Sequence, residues 1–215
     1  MHKVIVLPLA GLLALAVAAP ASAGANVSNT SGSVTIAQAN WESWDDATQT
    51  GTYGYVAVSQ DASGETFAEY GSSSQQFVQC TGADTPDNPD DDTFGTVGTD
   101  SWGYGPAGLT ITRGMASATA SGSLDIGTAS YNECTGEYDK GGAESSTSFS
   151  LDLTATSALI KESGRGSFHI PSEFNGHSSY KSTYRYATGT FDVGGGSQTV
   201  DGMIGKVSWT DHANG

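Results

Sequence analysis

Between residues 148 and 156 apolar and polar side chains alternate without a break: Phe149, Leu151, Leu153 and Ala155 are separated by Ser150, Asp152 and Thr154. Successive side chains of a strand point to opposite faces, so this period of two builds a strand with one dry face and one wet face. Sliding the register by one residue would carry the whole apolar set into water, which pins the strand against its neighbours. The pattern extends over residues 144–193. A polar break is expected at Glu162, Ser163 and Gly164, and turn chemistry follows at Pro171, Asn175 and Gly176. A return strand rich in Tyr and Thr then runs over 179–193.

Shorter segments of the same kind recur along the chain, at 34–39, 52–59, 65–70, 75–80, 109–113, 116–126, 131–134, 200–204 and 206–210. Turn residues punctuate them, among them Asp61-Ala62-Ser63-Gly64, which suits a hairpin. No helical periodicity interrupts them, and no fixed-period repeat points to a propeller or solenoid. The expected fold is all-β, a single-domain antiparallel β-sandwich, with an irregular β-barrel as the alternative.

Residues 1–23 carry the marks of a secretory signal peptide: a short positive end at Lys3, an apolar run, and the small residues Ala21, Ser22 and Ala23. The run is too short for a stable membrane anchor, and no second one follows. The organisation expected is a signal peptide over 1–23, a small polar lead-in over 24–33 and a secreted β-domain over 34–215, extracellular, monomeric and not inserted in a membrane.

All 23 Asp and Glu lie beyond the leader while Lys3 lies within it, so the exported part holds 7 basic residues and a net charge of −16. That excess repels nucleic acid, which is held by clustered Lys and Arg. The imbalance is uneven. Residues 158–190 contain four basic residues (Lys161, Arg165, Lys181, Arg185) and two acidic ones, and the rest contains three and twenty-one. Such a segment serves as an anion-binding or docking face, or pairs with the acidic surface of its own domain.

Cys80 and Cys134 are the only cysteines. In an exported chain they are expected to form a disulfide.

Five carboxylates, Asp84, Asp87, Asp90, Asp91 and Asp92, stand within nine residues, held open by Pro86 and Pro89. Clustered hard oxygens suit Ca²⁺, the one cofactor the sequence suggests, although the spacing is not that of the helix–loop–helix calcium site. A solvated acidic loop is the other reading. His169, Glu173 and His177 recur at intervals of four, but Pro171 and Gly176 between them forbid the helix that would align them.

Trp41, Trp44, Trp102 and Tyr104 sit among polar residues or glycines. Exposed flat rings there suit stacking on an extracellular ligand such as a carbohydrate; buried, they would fill a core. No Gly-x-Ser-x-Gly elbow occurs, and no carboxylate pair stands out among so many acids. The functional expectation is a secreted acidic β-domain with a non-catalytic binding or surface-interaction role. The alternative is an exported hydrolase acting on polysaccharide or peptide.

Overall fold

A computed structural model describes residues 28–80, 94–141, 144–170 and 174–214. Ten strands form one antiparallel sheet: β1 (Ser28–Asp45), β2 (Thr50–Gln60), β3 (Thr66–Gln79), β4 (Phe94–Ile111), β5 (Ser117–Asn132), β6 (Glu137–Lys140), β7 (Ser145–Ala155), β8 (Ile160–Ile170), β9 (Phe174–Val193) and β10 (Gly196–Asn214). The all-β antiparallel fold is therefore the one expected. Neighbours run in the order β10-β1-β2-β3-β4-β5-β7-β9-β8, and β9 also pairs with β10. The path of pairings thus returns to its start, an antiparallel arrangement consistent with the expected sandwich and with the irregular barrel.

Each hairpin has its own turn chemistry. Between β2 and β3, the Asp61 carboxylate accepts from the Ser63 hydroxyl at 2.7 Å and from the backbone N–H of Ser63 and of Glu65 at 2.9 Å; the hydroxyl bond first, and then the backbone bonds, hold that carboxyl below its usual range. Gly194 and Gly195 link β9 to β10 with φ of 58° and 85°; two successive positive values match the right-handed twist of the flanking strands.

The core lies inside the ring. Leu151 and Leu153 of β7, Leu124 of β5, Val56 and Val58 of β2 and Ile204 of β10 are fully buried, each stabilising by about 1.5–3 kcal/mol relative to exposure. Asp152, between the two leucines, is exposed. The aromatic part of the core is built on Phe191, which stands 5.4 Å from Trp41, 5.9 Å from Tyr70 and 6.3 Å from Phe149 between ring centroids. Outward positions of β5 and β7 are polar: Thr119, Ser121, Ser123, Asp125, Asp152 and Thr154 are all exposed.

Two boundaries differ from expectation. β1 begins at Ser28, ahead of residue 34, because its small polar residues pair with β10 from Ser28↔Ala213 onward. No break occurs at Glu162, Ser163 and Gly164, which run inside β8. The interruption lies earlier. Ala155 pairs with Ala187 and Ile160 with Tyr184, so residues 156–159 oppose only Arg185 and Tyr186. This bulge joins β7 and β8 into one bent strand along β9. Arg185 anchors it, donating from Nη1 to the Ser157 carbonyl at 2.9 Å and from Nε to the Gly114 carbonyl at 2.8 Å.

Beyond the ring the longest strands project at both ends. At one end β8, β9, β10 and the start of β1 continue as a four-stranded extension. At the other, β3, β4 and β5 run on, with β6 added to β5. The Cys80–Cys134 disulfide closes that second end, with Cα atoms 5.1 Å apart and a sequence separation of 54. On the chain-entropy model, closing such a loop stabilises by about 4 kcal/mol.

Candidate functional site

Several exposed aromatic residues share the outer face of β2, β3 and β4, while Tyr138, Tyr180 and Tyr186 are exposed on β6 and β9. Reading across β2, β3, β4 and β5, one row is Tyr55, Gly71, Trp102 and Gly127, and the next is Ala57, Glu69, Tyr104 and Asp125. Tyr53, Ser73 and Asp100 stand above them, and Ser59, Phe67 and Pro106 below. These residues share a face because paired residues point the same way and the strand period is two. The inward partners on the same strands, Val56, Val58, Ala68 and Tyr70, are buried in the core.

Glycines shape this surface. A Cβ on Gly71 would come within 2.6 Å of Tyr55 Cε1, and one on Gly127 within 3.1 Å of Trp102 Cε2. Both rings therefore lie down over a neighbouring strand that has no side chain at that point. Phe67 and Tyr104 stack with centroids 6.3 Å apart and planes 22° apart. Tyr53, Tyr55, Phe67, Trp102 and Tyr104 all remain exposed. Residues two apart on a strand stand roughly 6.6–6.8 Å apart and adjacent strands roughly 4.8 Å, so the rings tile a patch a few nanometres long.

Polar groups interleave with the rings. The Tyr55 hydroxyl donates to Glu69 Oε1 at 2.7 Å. Partial burial, then that bond, pushes its pKa up to about 12. Ser73 Oγ is buried under the patch with no hydrogen-bond partner among the described residues, a state that costs about 1–3 kcal/mol unless a water or ligand group meets it.

The four aromatic residues singled out in the sequence separate. Trp102 and Tyr104 lie on this patch. Trp44 is exposed higher on the same face, edge-on to Phe77 at 5.8 Å, with its Nε1 donating to Asp46 Oδ1 at 2.7 Å. Trp41 does not belong. It is only 9% exposed, points inward over Gly54 and stacks on Phe191, so it fills the core. Odd positions of β1 face inward and even positions outward, and the two tryptophans stand three positions apart, so they fall on opposite faces. Tyr53, Tyr55 and Phe67 were not singled out, although the alternation of Tyr53 and Tyr55 with Gly54 and Val56 already places them on a wet face.

Asp84, Asp87, Asp90, Asp91 and Asp92 lie outside the described residues, as do Glu173 and the leader 1–23. His177 sits on β9 opposite His212 of β10. No cluster of three or more His, Cys, Asp or Glu able to hold a metal occurs among the described residues. Nor is any helix among them long and apolar enough to cross a membrane. Asp192 receives the Ser150 hydroxyl at 3.3 Å on the outer face of β7 and β9.

No protein-family model matches the chain, and no curated protein matches it significantly.

Proposed function

We propose that the protein is a secreted, non-catalytic binding module that holds an extended carbohydrate on the outer face of β2, β3 and β4. The observation that carries this reading is the set of exposed aromatic groups on one face, Trp102 laid over Gly127 and Tyr55 over Gly71, with the Tyr104–Phe67 pair beside them. A ring held flat offers its face to the apolar C–H side of a sugar at little entropic cost, because its own freedom is already lost. Glu69, Asp100 and Asp125 stand between and around the rings as acceptors for sugar hydroxyls. The patch is open and linear rather than a closed cavity, which suits a polymer.

The experiment is affinity electrophoresis of the protein through gels containing soluble neutral polysaccharides, with tryptophan fluorescence as a second readout. Retardation by at least one polymer, abolished by Trp102→Ala with Tyr104→Ala but not by Asp152→Asn, supports the reading. Retardation that the double variant leaves intact overturns it.

A further inference from the structure

We propose that the inward face of the extension built from β8, β9, β10 and the start of β1 is a second binding site, one for an acidic polysaccharide. It is a different surface from the aromatic patch, so either site can fail without the other.

The register collects the positive charge there. Lys161 pairs with Thr183, and Thr183 with Lys206; in the next row Ser163, Lys181 and Ser208 are partners; in the next, Arg165, Ser179 and Thr210. Positions 161, 163 and 165 of β8 and 179, 181 and 183 of β9 have the parity of Phe191 and Ala187, which face the core. They therefore continue the inner lining of the ring past its mouth, where Arg185 is tied to Ser157 and Gly114. Every other described inward position of the extension is Ser, Thr, Asn or His, and none is acidic. The acids of these strands point the other way: Glu162 pairs with Ser182, and Asp211 with Ser178 and Thr30.

Four of the seven basic residues of the exported chain thus share one open face of a protein with 23 acids. Neighbouring rows lie within about one Debye length, so these cations repel one another, and an anion laid across them would relieve the repulsion. The face is hollowed as well as charged: a depression of about 510 Å³ is lined by residues 163–165 of β8, 179–181 of β9 and 208–210 of β10, Tyr180 and Trp209 among them. The rings of the intervening row lie against glycines of that row, Tyr180 over Gly164 and Trp209 over Gly32.

The chemistry selects among anions. Single-stranded nucleic acid is held by stacking bases on aromatic rings, and no described inward side chain of the extension is aromatic. A second copy of this chain also carries acids, but its net charge of −16 is the same as this one's, so two copies repel as wholes. A carboxylated sugar polymer supplies spaced anions for Lys and Arg, and hydroxyls for the rows of Ser and Thr.

The test is titration calorimetry of the whole protein with polygalacturonate oligomers, with dextran, with oligothymidylate and with no added polymer. Polygalacturonate should bind and weaken as salt rises, and dextran should not compete. Arg165→Gln with Lys181→Gln should cost at least about tenfold in affinity, the loss of one charge-assisted bond. Lys181→Arg, which keeps the charge, should retain binding, and so should Thr119→Ala on the outer face of β5. The proposal is overturned by absence of polygalacturonate binding, by full binding in the double Gln variant with an unchanged melting temperature, or by equal affinity for oligothymidylate. Heat of dilution from dissociating oligomers that the double Gln variant abolishes would overturn it too, since the face would then join copies of the chain.

Discussion

Trp41 and Trp102 are placed by the same local device on opposite sides of one sheet. Each indole lies across a glycine of the neighbouring strand, Trp41 over Gly54 and Trp102 over Gly127. Trp41 continues into a stack with Phe191 and Tyr70 and has almost no surface left. Trp102 has nothing above it and keeps 38% of its surface. The difference is parity alone, so the same residue type stabilises the fold in one place and offers a contact surface in the other.

That contrast is most severely tested by truncation. Trp41→Ala should cost about 3–5 kcal/mol in a denaturant melt, because it removes a large buried ring and leaves a cavity. Trp102→Ala should cost clearly less, about 1–2 kcal/mol, because only one side of the ring is covered, while abolishing polysaccharide retardation. Similar stability losses for both would erase the distinction. A second comparison sits on one strand. Leu153→Ala should cost about 2–5 kcal/mol and Asp152→Asn no more than about 0.5, and a reversal would place the carboxylate inside.

Smaller changes sharpen the comparison at the glycines. Gly71→Ala should displace Tyr55, whose ring atom would lie 2.6 Å from the new Cβ, and weaken ligand binding severalfold while the melting temperature moves by a few degrees or less. The smallest effect is on pH. The neutral form of Tyr55 is favoured in the folded protein, with a pKa near 12 against the ordinary 10.0; Tyr184, bonded to Glu162, behaves alike. Their contribution is complete below pH 10 and is lost as pH rises from 10 through 12. In an ultraviolet titration of tyrosinate, these two should ionise after the others, and Tyr55→Phe should remove one late step. An unchanged late phase would show that Glu69 does not hold the hydroxyl.

What the sequence disclosed follows the same physics. Leu151, Asp152 and Leu153 were legible because β7 has one dry face, and only such a strand alternates. The disulfide needed no geometry, only two cysteines and no others. Residues 28–33 and 162–164 were read as a lead-in and a break because the extension is wet on its inward face, so its strands carry Ser, Gly, Lys and Arg instead of an apolar stripe. The basic residues of 158–190 were visible as a cluster, but Lys206 joins them only through the pairing of β10 with β9. Trp41 and Trp44 looked alike for want of a register, and the glycines beneath the aromatic rings belong to other strands.

The pairing of β1 with β10 has one more consequence. Ser28 stands opposite Ala213, and the two strands stay in register as far as Asn40↔Asp201. The two extremities of the β-domain are therefore neighbours in space although nearly the whole domain separates them along the chain. A short flexible linker between them, with the chain reopened at the exposed Asp61-Ala62-Ser63-Gly64 hairpin, would give a circular permutant that keeps every strand pairing. In that permutant β3 would come first and β2 last, and the disulfide would still join the same two strand ends.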